Sequence, residues 1–473
     1  MTRVHPFLTV IFVLLNALPV QAQDGLEIPD DKLLIEQIVV EGNRVTKASI
    51  ILRELTFHVG DTIRKMEMLP AFERSRENLL NISLFNFVYF DVNHLPGNRI
   101  IVEITVVERW YIWPVPILEY AERNFNEFIT KKEWDKLVYG AWLKWNNFRG
   151  RNELLTGKVR LGYINEYALS YMKPNLDRRQ RHGINFGFNM NQQNEVIIAT
   201  VNNLPVEYRP RERPAQREIN AFVYYTYRRK LYTTHSLRIR YNDYIVADSV
   251  AIVNSNYLGE GRSRLNYFTL SYNFSHDVRD SKVYPLEGFA VKLNVEKMGL
   301  GLIPDFPYPG FSVTGIFMYH QKLTNWLYFY NATKARYRQE KFLPYALNHA
   351  LGYEEFMSGY ESYVIDGSDF FITKYDLKFR ILKPTTWTIP LIGMEQFNKI
   401  YYALYFNLFV DAGYVNNVFP APTNTMVNSW QFSSGIGLDL VTYYDQVIRV
   451  DFAVNRYGEY GFFFHLETPF SRW

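Results

Sequence analysis

From Tyr401 to Val415 the chain reads YYALYFNLFVDAGYV, and its apolar and polar positions alternate. Leu404, Phe406, Leu408, Val410 and Ala412 fall on one side of a period-two pattern, and Tyr405, Asn407, Phe409, Asp411 and Gly413 fall on the other. The plan recurs. Ile448, Val450, Phe452 and Val454 alternate with Arg449, Asp451, Ala453 and Asn455, and Ile436, Leu438 and Leu440 alternate with Gly435, Gly437 and Asp439. These segments are predicted strands with one oily side. In a soluble sandwich the oily sides would face each other, whereas in a transmembrane barrel they face lipid and the polar sides line the lumen. From Trp110 to Trp473 the chain continues strand after strand, punctuated by Pro, Gly, Asn and Asp, with no amphipathic helix in the pattern.

The pattern before Trp110 is different. Ile35 to Val40 predicts a strand and Glu41-Gly42-Asn43 a turn; Thr46 is placed to cap a helix over Lys47 to Leu55, and Gly60-Asp61 breaks it. A second helix, about Lys65 to Leu80 with an early Pro70, carries Leu69, Phe72, Ser75, Leu79 and Leu80 toward one side. Phe85 to Val92 and Arg99 to Val107 read as two strands joined across Leu95-Pro96-Gly97-Asn98. Strand, helix, helix, strand, strand makes an α+β module.

Composition sharpens the choice of solvent. Aromatic residues are 17% of the 473, with 36 Tyr and 35 Phe, an excess that suits the aromatic girdles of a membrane barrel. The first 22 residues have the form of a secretory signal: Arg3, an apolar stretch from Phe7 to Leu18, and Val20-Gln21-Ala22 before Gln23. Mean hydropathy is −0.20, and no later stretch is apolar enough for a spanning helix, so strands are the route left for crossing. Net charge is +4, with basic and acidic residues interspersed, which points to no nucleic-acid partner; there is no cysteine for disulfides, a zinc cluster or a lipoprotein's acylated residue.

Two resemblances follow from motifs in order. IVVEGNRVT (Ile38 to Thr46), LFNFVYFDV (Leu84 to Val92) and IIVEITVVER (Ile100 to Arg109) resemble a POTRA domain over residues 33–109, the periplasmic module that precedes certain outer-membrane barrels. Asn147-Phe148-Arg149-Gly150-Arg151 is similar to the first hairpin tip of the BamA/TamA-type outer-membrane assembly proteins, the bacterial surface antigen family. His276-Asp277-Val278-Arg279-Asp280, with Pro285 and Gly288, resembles that family's central hairpin; Phe409-Val410-Asp411-Ala412-Gly413 and Gly435-Ile436-Gly437-Leu438 resemble its late strands. The resemblance implies a signal peptide (1–22), a linker (23–32), one POTRA domain (33–109) and a barrel of about sixteen antiparallel strands (110–473). That span leaves about 23 residues for each strand and turn, against the ~9 to 11 a crossing needs. Asn202 to Arg217, with Pro205, Pro210 and Pro214, and Gly299 to Gly310 are the longest predicted loops.

The same resemblance nominates functional residues. An inward loop in this family carries a Val-Arg-Gly-Tyr-like tip whose arginine pairs with an acid of the wall; here Met357-Ser358-Gly359-Tyr360 occupies the place, and Ser358 stands where the arginine would be. Asp411 is the expected wall acid, in need of a basic or hydrogen-bonding partner, and Lys374, Lys378 and Arg380 are the nearby bases. Asp277, Arg279 and Asp280 read as turn chemistry in preference to a cation site. The C-terminus, with Phe464, Leu466, Phe470 and Trp473, resembles the aromatic strand signal by which assembly machines recognise clients.

No His-Glu-x-x-His, Gly-x-Ser-x-Gly or phosphate-loop motif occurs, so the expectation is a non-enzyme without cofactor or metal; a hydrolase built from dispersed residues is the enzymatic alternative. The implied function is assistance to insertion, assembly or translocation of other proteins at the outer membrane of a Gram-negative bacterium. Partners would be unfolded outer-membrane clients, periplasmic chaperones or lipoproteins, and outer-membrane lipids. A lateral seam between the first strand (about Leu137 to Trp145) and the last (about Gly461 to Thr468) is expected, with Gly140, Gly461 and Pro469 keeping it short. The reading from another class is a channel or structural anchor.

Overall fold

A computed structural model describes residues 29–120, 136–211, 214–304 and 306–465. The predicted leader, most of the linker, and Leu466, Pro469, Phe470 and Trp473 lie outside the described residues.

The amino-terminal strands are β1 (Lys32–Glu41), β2 (Thr62–Arg64), β3 (Phe85–Leu95) and β4 (Arg99–Glu108), in the sheet order β2-β1-β4-β3. β1 runs parallel to β4 and antiparallel to β2. Helices α1 (Ala48–Leu52) and α2 (Lys65–Asn81) supply Ile50, Ile51, Phe72 and Leu79 to a core with Leu33, Ile35, Ile100, Val102 and Ile104. Burial of each large side chain is worth roughly 1.5–3 kcal/mol. Phe72 stacks on Phe90 at 5.0 Å and tilts against Phe57 at 5.4 Å, tying α2 to the sheet.

Two local expectations are corrected. Thr46 caps no helix: α1 starts later, and the Thr46 hydroxyl pairs with the Tyr111 hydroxyl at 3.0 Å and accepts from Asn147 Nδ2 at 2.8 Å. Leu69 is 66% exposed, because it shares the outward face of α2 with Met66, one turn earlier.

Among the described residues the barrel sheet has sixteen antiparallel strands. In chain order its first eight are β5 (Ile112–Tyr120), β6 (Leu137–Phe148), β7 (Glu153–Gly162), β8 (Ile164–Lys173), β9 (His182–Gln193), β12 (Gln216–Lys230), β13 (Thr233–Val246) and β14 (Arg264–Asp277). The rest are β15 (Gly288–Met298), β16 (Gly310–Lys322), β17 (Leu327–Arg338), β20 (Asp369–Thr388), β21 (Lys399–Asn416), β22 (Gln431–Thr442), β23 (Gln446–Asn455) and β24 (Tyr460–His465). The first strand is therefore Ile112–Tyr120 and not Leu137 to Trp145. Pro114 and Pro116 concealed it in the pattern, and a strand tolerates proline only where an edge is open. Gly140 belongs to the second strand, between β5 and β7, and not to the seam.

Part of the predicted loop at Asn202 to Arg217 is a hairpin of β10 (Val196–Val201) and β11 (Leu204–Tyr208). Both strands of a two-stranded sheet are edges, so Pro205 fits. Further connections form α3 (Asp248–Val253), the pair β18 (His349–Leu351) and β19 (Ile365–Asp366), and α4 (Glu395–Asn398). The loops pack into a dome at the end away from the module, around Val196, Ile198, Val250, Leu258 and Phe306. Asn203 stitches the dome: its N–H donates to Asn424 Oδ1 at 3.0 Å, and its side-chain oxygen accepts from the Met426 N–H at 3.1 Å.

The polarity of the wall is inverted relative to a water-soluble sheet. On β21, Leu408 and Val410 are 41% and 51% exposed, while their neighbours Asn407 and Asp411 are 0% and 1% exposed. Phe186, Phe188, Val223, Ile239, Phe317, Ile436 and Phe464 are likewise exposed on the outer face. A continuous apolar exterior around a polar interior is the arrangement lipid demands. Among the described residues no helix is long and apolar enough to cross a membrane.

Candidate functional site: the lumen, its mouth and its seam

Four consecutive wall strands place charge inside. Arg449 on β23 is the hub: Nε lies 2.8 Å from Asp451 Oδ1 and 3.5 Å from Asp439 Oδ1, and Nη1 lies 3.4 Å from Asp376 Oδ2. All four side chains are buried. Gly437 makes room for them, since a Cβ there would sit 2.2 Å from Asp451 Oδ1. Tyr284, reaching in from the turn after β14, donates its hydroxyl to Asp439 Oδ2 at 2.7 Å. An isolated buried charge would be costly, so the cluster fixes the interior arrangement by mutual pairing. Sequence reasoning did not nominate Arg449, Asp376, Asp439 or Asp451. Their signal was present as polar positions on the inward register, but which strands lie side by side is not a local property.

The segment between β18 and β19 enters the lumen. Ser358 donates its backbone N–H to Asp411 Oδ2 at 3.0 Å, the Gly359 carbonyl accepts from Asn455 Nδ2 at 3.1 Å, and the Tyr360 hydroxyl donates to the Phe432 carbonyl at 3.1 Å. Met357 packs on Gly413, where a Cβ would lie 2.4 Å from its sulfur. Of the three nominated bases, Lys374 is beside Asp411, Nζ to Oδ2 at 3.9 Å. Lys378 instead sits over the rings of Tyr284 and Tyr330, and Arg380 donates to the Tyr328 hydroxyl at 3.0 Å and to the Asn325 carbonyl. The loop thus meets Asp411 through its main chain, where a side-chain arginine is missing, and the Tyr360 hydroxyl and the Met357 side chain hold it besides.

Asp277, Arg279 and Asp280 form a turn at the mouth. Arg279 grips Asp277 with two bonds, Nε to Oδ1 at 2.9 Å and Nη2 to Oδ2 at 2.8 Å. Asp280 Oδ1 accepts the N–H groups of Ser281, Leu286 and Glu287, and burial raises its carboxyl above the ordinary range despite those bonds. Among the described residues no group of three or more His, Asp or Glu is disposed to hold a metal.

The α+β module docks on this mouth. Arg228 grips Glu54 at 2.6 and 2.7 Å; Arg74 donates to the Tyr232 hydroxyl and the Val278 carbonyl, each at 2.9 Å; Asn81 donates to the Asp280 carbonyl at 3.0 Å. The turn at Asn147 to Arg151 joins β6 to β7, the second and third strands, so it is not the first hairpin of the sheet, and there the Lys47 N–H donates to the Gly150 carbonyl at 2.9 Å. Arg109 pairs with Asp445, and Trp113 packs edge-on against Tyr444 at 4.8 Å. A cavity of about 320 Å³ remains between module and wall, lined by Phe87, Tyr284, Leu286, Tyr401, Tyr405 and Val441 among others.

The sheet runs from β24 to β5, and no ladder joins these two strands among the described residues. Phe464, the one described residue of the nominated C-terminal signal, lies on the lipid side of β24.

Lipid-facing strands around a charged, loop-filled interior define a transmembrane β-barrel with a docked globular module. Residues 147–470 match the Omp85 superfamily domain, and the chain belongs to that superfamily. Among solved structures it is similar to CdiB from Escherichia coli, with TM-score 0.53 and 12% identity over 89% of this chain and 72% of that one. It is also similar to BamA from Haemophilus ducreyi lacking POTRA domains 1-3, with TM-score 0.48 and 14% identity over 90% and 81% of the two chains. At such identities the first likeness speaks for the fold alone. No curated protein matches the chain.

Proposed function

We propose that the chain assists the insertion, assembly or translocation of other proteins in the outer membrane of a Gram-negative bacterium. In this reading residues 33–109 are a single POTRA domain in the periplasm, and 110–473 form the membrane barrel. The observation that carries it is the filled interior. The Met357–Tyr360 tip and the Arg449 cluster occupy the lumen, and the dome and the module cover its two ends. A barrel so blocked offers an extended client its sheet edges in place of a pore, and strand addition recognises any sequence through main-chain hydrogen bonds. The outer edge of the module is partly guarded, because Arg76 Nε donates to the Val88 carbonyl at 3.0 Å and the Val92 N–H donates to Asp91 Oδ1 at 2.8 Å.

The test is client folding. Residues 23–473 refolded into liposomes should accelerate the heat-modifiable gel shift and protease resistance of an unfolded outer-membrane barrel, relative to liposomes holding an unrelated barrel. Loss of the acceleration on deleting 23–109 would support a role for the module. No acceleration, together with a stable single-channel conductance, would favour the channel reading.

A further inference from the structure

In an antiparallel ladder each residue points both its main-chain groups toward one neighbour, and the next residue points them toward the other. The Asn146 N–H donates to the Tyr111 carbonyl at 2.7 Å, so Tyr111 and Asn146 are a bonded pair. The unbroken register that follows makes Trp113, Val115, Ile117 and Glu119 the residues of β5 bonded to β6. Ile112, Pro114, Pro116, Leu118 and Tyr120 therefore direct their main-chain groups to the open edge. Two of those five positions are proline and have no N–H to offer.

The described part of the opposite edge, Tyr460–His465, holds no proline. The Asn455 N–H donates to the Glu459 carbonyl at 2.9 Å, and the register carries that parity down β24. Tyr460, Phe462 and Phe464 thus direct their main-chain groups away from β23, and among the described residues both N–H and C=O of each are available. If β5 closed on such a strand, two partner carbonyls opposite the prolines would be left without donors. In hydrocarbon no water replaces them.

We propose that Pro114 and Pro116 set the polarity of the seam. They keep β5 from closing it with a full ladder, and they direct an incoming client strand to the complete edge of β24. The second half of this proposal rests on the assembly reading given above; the first half does not. Trp113, held against Tyr444 at the module end, anchors β5 just below the two prolines, so separation starts above that contact.

The chain has no cysteine, so introduced ones are the sole labelling sites. Nitroxide spin labels on Leu118→Cys and Phe462→Cys, in the otherwise full chain in liposomes without client, should give a broad distance distribution. Pro114→Val/Pro116→Val should narrow and shorten it, with Pro116→Ala in between as the milder variant. An unchanged distribution in both variants, with the barrel heat-modifiable as in the parent, would overturn the proposal.

Photo-crosslinkers at the same two positions then ask about clients. An unfolded barrel should crosslink at position 462 over 118 by about tenfold, the factor that two ordinary main-chain hydrogen bonds supply, and the bias should disappear in the double valine variant. A bias that survives the valines would overturn the assignment to β24. Crosslinking at neither position, with the label distances responding as stated, would count against the assembly reading and leave the role of the prolines supported.

Discussion

Arg109 and Asp445, separated by 336 positions, form a two-pronged ion pair: Nη1 to Oδ2 at 2.6 Å and Nη2 to Oδ1 at 2.9 Å. The arginine closes the module and the aspartate sits in the β22–β23 turn, where Tyr444 and Asp445 both have positive φ, 57° and 63°. The pair is 12% and 30% exposed, so solvent screens it only in part. Arg109→Ala should loosen the module at the barrel mouth by about 1–3 kcal/mol. Limited proteolysis around residues 109–113 should become faster, with the barrel's own heat-modifiable shift unchanged; equal rates would show that the pair carries no docking energy.

The second clasp is Glu54 with Arg228. Glu54 is buried, and Arg53 from the same segment donates to the Arg228 carbonyl at 3.2 Å. Glu54→Gln keeps the shape and removes the charge, and should cost about 2 kcal/mol of docking. Combined with Arg109→Ala the losses should add, because the two contacts share no partner. Denaturant unfolding followed by a probe on the module measures both.

Ser358 touches Asp411 through its backbone, so its side chain should be dispensable. Ser358→Ala should change stability by less than about 0.5 kcal/mol. Ser358→Pro removes the donor and should release the loop tip, at about 1–3 kcal/mol for the buried acceptor left behind. Planar-bilayer recordings should then show new, noisy conductance in the proline variant and none in the alanine variant. Identical traces would mean that Met357 and Tyr360 hold the loop without this bond.

Arg449 neutralises three buried carboxylates. Arg449→Met leaves Asp376, Asp439 and Asp451 without their shared cation, and breaking such a cluster from one side costs about 3–5 kcal/mol. Refolding yield in detergent, read by the heat-modifiable shift, should fall steeply. Adding Asp439→Asn and Asp451→Asn to the same chain should restore part of it.

Much of the architecture was legible in the chain. A period of two, repeated from Leu404 to Ala412 and from Ile448 to Asn455, specifies strands and says which side is oily, because side chains alternate on any strand. The order of elements before Trp110 indicated the α+β character, since strand and helix periods differ locally, but the three-residue β2 between the helices is too short to show a period. The misreadings are of another kind. Thr46 is a good capping residue by type, and its hydroxyl is claimed by Tyr111 and Asn147 from far along the chain. Pro114 and Pro116 argue against a strand until the strand is known to lie at an open edge.

The sequence by itself determined the alternation and put Asp411 on the side opposite the oily one; its length permitted about sixteen strands, the count the resemblance implies. Only the tertiary structure decided that Ser358 meets Asp411 by its main chain, that Arg449 gathers three aspartates from three strands, and that the missing N–H groups of Pro114 and Pro116 point at the seam. The physical reason is register. Alternation follows from the geometry of one strand, whereas which strands are neighbours, and which edge a given N–H faces, depends on pairings between residues remote in the chain.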